Sequence, residues 1–354
     1  MPAPTDSRCV LEVNASAVRH NLDVLSARND HAKILAVCKA DFYGCGDGLY
    51  PFIGEKIDAL GVATVEEGIR MRTFCGKPIL VFGYVPPSGY LSAFSNELSF
   101  SIGSKNAFLS LQTFARQLNV RLKVHVKVDT GMHRFGFSYT DVSSILSVLS
   151  ERAFRIEGIY THFATENDAF YRLQRERFSG LVEYLLSKGY VFPFIHASNT
   201  GAARLGSPVG NTVRVGYGMY GFTRNLIPAV RVLGRIVQVR TLEKGEGVGY
   251  GLTYVSTESR RIATVSVGYA DGYPRDRSNN GFVLYKGDFL PIVGRVCMDC
   301  LFVDVTGKTV CEGDYVTLLG KEGEKILSPD DLGFGYEALC RFHSLRGERR
   351  YLLS

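Results

Sequence analysis

The sequence has no long hydrophobic run. Nothing in it approaches the roughly 18–20 consecutive apolar residues that a membrane-spanning helix needs, so a transmembrane protein is not expected. The opening MPAPTDSRCV lacks a basic stretch ahead of an apolar core, and a signal peptide is not expected either. No low-complexity segment and no repeat of about 20–50 residues is evident, which sets aside solenoids and propellers. Charge of one sign is not concentrated. The formal net charge is +6, yet the densest basic run, Arg341 to Arg350, is broken by Phe342, Leu345, Gly347 and Glu348. So mild an excess suits an anionic small ligand as well as a nucleic acid, and no nucleic-acid partner is expected. Eight cysteines without an export signal read as reduced thiols of a cytoplasmic protein. Cys297 and Cys300 form a CxxC, but no second pair completes a zinc ribbon, since Cys311 stands alone. Two small core residues on a strand are expected there.

What is present is globular in composition and long enough, at 354 residues, for two domains. Short β-branched runs recur at Ile34–Lys39, Ala59–Thr64, Pro78–Gly83, Glu97–Ile102, Leu122–Asp129, Ile156–His162, Phe194–Asn199 and Val213–Gly218. Helix-like stretches lie between them, among them VEEGIRMRTF, NAFLSLQTFARQL, DVSSILSVLSER and YRLQRERFSGLVEYLLSKG. In the last of these, Leu173, Phe178, Leu181, Leu185 and Leu186 fall at roughly helical spacing. Strands alternating with helices imply parallel pairing, and this many units predict a closed (β/α)₈ barrel over residues 10–222. After Phe222 the texture changes. Arg235–Thr241, Ile262–Gly268, Phe282–Tyr285, Leu301–Val305 and Tyr315–Leu319 are strand-like and separated by glycine-rich or charged turns, which predicts a mostly β domain over 223–354. Cys9–Asn14 is strand-like too, and the N-terminal segment 1–14 could cap the barrel or join that second domain.

Barrel chemistry sits at the C-terminal ends of the strands. Those ends carry Lys39, Lys127 with Asp129, His162, Asn199 with Thr200, and Arg214 ahead of Gly216 and Gly218. Polar side chains at so many strand ends are hard to explain by packing and outline a pocket. A lysine at a barrel mouth, partly desolvated, has a lowered pKa and can form a Schiff base with an aldehyde.

The segment AVCKADFYGCG resembles the lysine motif of the alanine racemases. KVDTGMHRFG, THFAT, SNTGAA, RVGYGMYG, EGVGYGLTY, GYADGY, GRVCMD and GYEALC resemble the family's other landmarks in the same order, from Lys39 to Cys340. The resemblance implies a homodimeric enzyme dependent on pyridoxal 5′-phosphate that interconverts L- and D-alanine, supplying D-alanine for peptidoglycan. It implies Lys39 as the cofactor lysine and one catalytic base. Tyr250, reaching in from the partner subunit, is the other. Two bases on opposite faces of a planar carbon let a proton leave one side and return to the other.

Arg214 would face the ring nitrogen of the cofactor, where a guanidinium donates without giving up its proton. That leaves the ring a weaker electron sink and restrains side reactions. Arg134 would hold the substrate carboxylate. Lys127 matches a lysine carbamylated in many members. His162 would pack on the cofactor ring, while Tyr43, Asn199, Thr200, Gly216, Tyr217 and Tyr336 would hold the cofactor, mostly at its phosphate. Met298 and Asp299 would approach the substrate from the partner subunit. Tyr269 and Asn167 would line the entrance, with Tyr336 narrowing it beside Tyr269. Departures from the family pattern are Asp41, Phe42 and Cys45 for Asn, Ala and His, His133 for glycine, and Asn167 for an acidic residue. Of these, Phe42 and Asn167 leave open a racemase of broader range that accepts serine. A zinc hydrolase using His125, His133, His162 and His196 with a modified Lys127 is disfavoured by the absence of HxH. A bare cofactor carrier is disfavoured by the second domain.

Overall fold

The structure, a computed structural model, describes residues 6–166, 168–206, 208–335 and 337–353. The chain divides into two compact units. One comprises Arg19–Ala40 and Tyr50–Met219; the other comprises the segment up to Val18, Asp41–Leu49, and the chain from Tyr220 onward. Two of the residues expected at the site, Asn167 and Tyr336, lie outside the described residues.

Strand β1 is Cys9–Asn14. Then follow β2 (Lys33–Val37), β3 (Ala59–Val62), β4 (Ile79–Val81), β5 (Ser99–Ile102), β6 (Leu122–Asp129), the two-residue β7 (Phe137–Ser138), β8 (Phe154–Tyr160), β9 (Phe194–His196) and β10 (Thr212–Val215). The order β5-β4-β3-β2-β10-β9-β8-β6, with β5 pairing β6, closes eight parallel strands into a barrel. Its strands are apolar on both faces because helices cover the outside and side chains fill the inside. Ala59–Val62, for example, is buried throughout. Leu35, Ala59, Leu80, Tyr160 and Phe194 form one cluster within the barrel.

The helices begin where side chains can satisfy free backbone N–H groups. Thr64 accepts from Glu67 N–H, and the Glu67 carboxylate returns to the Thr64 N–H, which completes a capping box for Val65–Arg72. Ser104, Asp141 and Asp168 cap Lys105–Leu118, Val142–Leu149 and Ala169–Ser187. The last of these keeps Phe178, Leu181 and Leu185 of the expected face inward but not Leu173 and Leu186. Tyr171, Gln174, Phe178, Leu181, Val182 and Leu185 are buried, whereas Leu173 and Leu186 are exposed. Gln174 is held inside by donation from Ala164 N–H to its carbonyl at 3.0 Å, which draws that face to the barrel.

The second unit is built on strands. They are β11 (Val230–Leu242), β12 (Gly247–Val248), β13 (Tyr254–Val255), β14 (Arg260–Val265), β15 (Phe282–Tyr285), β16 (Asp288–Pro291), β17 (Leu301–Asp304), β18 (Tyr315–Glu322), β19 (Lys325–Leu327) and β20 (Glu348–Leu352). The main path is β16-β15-β18-β11-β1-β20, with β14 joining β11 to β17 and β19 added to β18. The first strand of the chain therefore belongs to this sheet. It runs antiparallel to β11, with Leu11 opposite Val232, and parallel to β20, with Val13 opposite Tyr351.

The CxxC is not a pair of core strand residues. Cys297 N–H donates to the Cys300 carbonyl at 2.8 Å, closing a tight turn ahead of β17, and both cysteines are only half-buried. A two-residue turn puts Met298 and Asp299 at its exposed tip.

Candidate active site

Lys39 follows β2 by two residues, as a residue at the C-terminal rim of a barrel strand should. Cys38 N–H is still bound to the Gly61 carbonyl at 2.9 Å, so the backbone is anchored up to the residue before the lysine. Lys39 itself is exposed, contrary to the expected partial burial. Directly after it the backbone turns left-handed. Ala40, Asp41, Phe42 and Tyr43 have φ of 52°, 54°, 54° and 58°. Each such residue costs about 1–2 kcal/mol for an L-amino acid, and runs of them are rare. Only Asp41 has a side chain suited to that region. Ala40 N–H is held by the Glu67 carboxylate at 2.8 Å, and the same carboxylate takes Ala63 N–H at 2.7 Å. Glu67 thus serves both its own helix and the turn after the lysine.

The desolvated lysine is Lys127. It is buried on β6, with Nζ 4.3 Å from the centre of the Tyr160 ring. Burial first, then the charges of Arg214 and Arg134, pull its pKa down from 10.5 to about 7, with Asp129 opposing. Arg134 is exposed on the loop after β6, and its charge reaches Lys127, His162, Tyr160 and Arg214. His162 is held down to about 2, by burial and then by Arg214, Lys127, Arg134 and Lys39, so it is a neutral imidazole at any ordinary pH. These five groups share one electrostatic site, and four of them are cations or their neutral forms. Such a site is built for anions.

Arg214, on β10, is the best-held of them. Nη1 donates to the His196 carbonyl at 2.8 Å and to His196 Nδ1 at 3.0 Å. Nη2 donates to the carbonyls of Ala197 and Thr161 at 2.8 and 2.9 Å, with His162 Nδ1 at 3.1 Å. Both terminal nitrogens are fully engaged. Among the described residues nothing accepts from the Nε–H, the fifth donor of the guanidinium. Burial lowers its pKa to about 10, which still leaves it cationic at neutral pH.

Two short turns beside it form a backbone cradle. Asn199, expected to touch a ligand, caps Thr200–Leu205 by accepting from Ala202 N–H at 3.0 Å. Thr200 Oγ1 lies 3.5 Å from Gly216 N–H and 3.2 Å from Gly218 N–H, accepting from both, which leaves its own O–H free to donate outward. The Glu166 carboxylate is seated on Gly201, in the space a Cβ would fill. An anionic group is therefore accommodated against this turn.

Tyr217, half-buried, opens the short turn Tyr217–Tyr220 after β10, and the other remaining expected residues among those described belong to the sheet unit. Tyr43 is buried beside Tyr220, ring centres 6.0 Å apart. Tyr250 opens a short turn between Gly249 and Gly251, whose φ of 74° and 72° no side chain tolerates well, and it is 73% exposed. Tyr269 and the Met298–Asp299 tip are neighbours, since Tyr269 N–H donates to the Cys297 carbonyl at 3.0 Å and Ala270 N–H to the Met298 carbonyl at 3.1 Å. Arg8 and Arg346, missed in the sequence, fix that tip. Both pair with Asp271, which is fully buried, and they reach the Asp299 carbonyl and carboxylate at 2.9 and 2.7 Å. Nothing in their local sequence marks them. His125 and His196, expected only in the hydrolase reading, lie 3.1 Å apart behind Arg214, while His133 is exposed near Asp129.

Comparison with known proteins agrees over the whole chain. Residues 13–224 match the family described as alanine racemase, N-terminal domain, and residues 229–351 the one described as alanine racemase, C-terminal domain. An alanine racemase of Halothermothrix orenii is 37% identical over 365 residues, covering 96% of each chain. One from Geobacter sp. (strain M21) is 34% identical over 381 residues, covering 98% of this chain and all of that one. Among solved structures, alanine racemase of Clostridium difficile 630 superposes with a TM-score of 0.89 at 30% identity, covering 100% of this chain and 97% of the other. The Bacillus anthracis alanine racemase with bound L-Ala-P gives 0.88 at 28% identity, covering 99% and 96%.

Proposed function

The chain belongs to the alanine racemase family, and from that premise we propose that it interconverts L- and D-alanine as a homodimer holding pyridoxal 5′-phosphate. The barrel residues fit this cofactor. An exposed primary amine, Lys39, stands at the rim for its aldehyde, Arg214 has an unspent N–H for its ring nitrogen, and Thr200 with the Gly201 and Gly216 turns suits its phosphate. The family's pattern would add the hydroxyls of Tyr43, Tyr217 and Tyr336 at the phosphate, and His162, neutral, would pack on the ring.

When bound, the cofactor draws electron density from the α-carbon of the substrate, so that its proton can leave. The Lys39 amine takes or returns that proton on one face. The Tyr250 hydroxyl, supplied by the partner subunit, does so on the other. Exposure of Tyr250 on its own protomer supports a role outside that protomer. Arg134 binds the substrate carboxylate, and Lys127 as a carbamate would brace it. Met298 and Asp299 approach from the partner, with Tyr269 and Asn167 at the entrance. A D-alanine supply for peptidoglycan in the cytoplasm follows from the product.

The observation that carries the reading is the bonding of Arg214. A guanidinium locked by carbonyls and neutral histidines, with one donor left over, presents a proton that it does not surrender. The test uses purified protein with pyridoxal phosphate added. L-alanine, D-alanine and L-serine are each incubated in deuterium oxide, and configuration and α-deuterium are followed. Racemisation of alanine in both directions, with α-deuterium in the inverted product, is expected. Preference for L-serine over alanine would point to the broader racemase, and cofactor binding without exchange would refute the reading.

A further inference from the structure

Two histidines behind Arg214 have no part in the chemistry above. His125 stands on β6 and His196 ends β9, and both are fully enclosed. His196 Nδ1 lies 3.0 Å from Arg214 Nη1, and His196 Nε2 lies 3.1 Å from His125 Nδ1. The rings are clamped. Tyr160 lies flat on His196 at 4.6 Å and 8°, and Phe194 stacks on His125 at 5.8 Å and 30°. A Cβ on Gly158 would strike the His125 ring, so the sequence makes room for it there.

The proton positions follow from one fact. A guanidinium has donors and no acceptor, so His196 must turn a lone pair on Nδ1 toward Arg214. A neutral imidazole has one ring proton, which then sits on Nε2 and needs an acceptor. His125 Nδ1 is the atom in place. Burial and the nearby cations, Arg214 and Lys127, oppose protonation of His196, and burial opposes it at His125. The result is a directed chain, guanidinium to His196 to His125, in which each ring has a single permitted tautomer.

We propose that His125 is a positioning residue for Arg214: by accepting from His196 Nε2–H it fixes the His196 tautomer, which keeps Nη1 bound and reserves Nε–H as the guanidinium's free donor. Without an acceptor at position 125, His196 Nε2–H is buried with no partner. The alternative tautomer then sets N–H against N–H at Arg214, and either outcome loosens the guanidinium. The inference rests on Arg214 facing the cofactor ring, so its test begins without the cofactor.

The experiment compares wild type, His125→Asn and His125→Leu. Asparagine can place a carbonyl oxygen near the position of imidazole Nδ1, whereas leucine keeps bulk and offers no acceptor. Ring-nitrogen NMR of cofactor-free protein labelled with ¹⁵N-histidine reports which nitrogen of His196 carries hydrogen. The Nε2–H form is expected in wild type and in His125→Asn, and its loss or mixing in His125→Leu. Pyridoxal phosphate titration followed by absorbance should then show about tenfold weaker binding for the leucine variant, the size expected for one buried hydrogen bond. In the loaded enzyme kcat should fall by a similar factor, with KM for alanine within about twofold. Asparagine should restore both.

Wild-type His196 protonated on Nδ1 overturns the proposal outright, even where the leucine variant fails to fold. Equal losses in the asparagine and leucine variants, or an unchanged tautomer and unchanged affinity in the leucine variant, overturn it as well. Failure of the cofactor reading would look different, as a wild type with the stated tautomer that binds no pyridoxal phosphate.

Discussion

Replacing Lys127 by methionine should stabilise the cofactor-free barrel at neutral pH, and by an amount that depends on pH in a set direction. The lysine is buried against Tyr160 among the charges of Arg214 and Arg134, and its pKa stands at about 7 against an ordinary 10.5. That displacement corresponds to roughly 5 kcal/mol of cost for the ammonium form. Below pH 7 the lysine is protonated whether the chain is folded or not, and the folded state carries the whole cost. Between pH 7 and 10.5 the unfolded chain binds a proton that the folded chain has released, so stability rises with pH. Above 10.5 the amine is neutral in both states and the cost is gone. The Lys127→Met variant carries no such cost, so its advantage over wild type should be largest at pH 6.5 and fade toward pH 10. The measurement is denaturant-dependent hydrogen exchange of the β6 and β8 amides in carbon-dioxide-free buffer. It reads the barrel alone, whatever the sheet unit does. A difference that stays flat from pH 6.5 to pH 10 would refute the argument. A bicarbonate arm extends it: near pH 8 the neutral amine can add carbon dioxide, losing a proton and becoming an anionic carbamate within reach of the arginine charges. Wild type should then gain stability and the mass of one carbon dioxide, and the variant neither.

Other perturbations address the site directly. Lys39→Ala should abolish racemisation and the visible absorption of added pyridoxal phosphate; a normal cofactor band in that variant would remove Lys39 from the chemistry. Tyr250→Phe should be inactive alone, yet refolding it together with Lys39→Ala should recover activity, because mixed dimers contain one site with both groups intact. No recovery, with dimers confirmed by light scattering, would place Tyr250 elsewhere. In Gly218→Ala the added Cβ would lie 2.6 Å from Thr200 Cγ2, pushing the hydroxyl off the cradle. Pyridoxal phosphate should then bind about tenfold more weakly, while pyridoxal lacking phosphate is much less affected. Arg214→Met should cost roughly 3–5 kcal/mol, since the carbonyls of Thr161, His196 and Ala197 all lose a donor. Chemical denaturation of the apoprotein checks this, and a loss under about 1 kcal/mol would show that water replaces the guanidinium there.

The barrel was legible because its strands announce themselves as β-branched runs with amphipathic stretches between them. Leu122–Asp129 is found at the expected bounds. Several other runs read two or three residues too far at the C-terminal end, as at Lys39, His162 and Asn199, because the polar rim residues continue the run after ladder pairing has ended. Those extra residues are the functional ones. In the sheet unit β20 stayed hidden. Its sequence ERRYL is rich in charge, and its strand character comes from pairing with Cys9–Asn14, more than three hundred residues away. The left-handed run after Lys39 was equally unreadable, since no propensity places alanine, phenylalanine and tyrosine at positive φ. Of the support behind Arg214 only a hint was visible: His125 and Lys127 are two apart on a strand and so share a face. His196 and the arginines around Asp271 depend on contacts between distant segments that sequence spacing does not report.

The position of β1 constrains how the chain can be made. β1 sits between β11 and β20, so during synthesis one of its edges waits for residue 230 and the other for residue 348. Until β11 emerges, Val10, Leu11 and Val13, buried in the finished molecule, have no mates, and an unpaired apolar strand invites pairing with other chains. The parallel barrel is encoded entirely within that waiting time. Deleting Glu348–Leu352 should therefore leave the barrel formed and one edge of β1 bare, a product more prone to clump than to unfold.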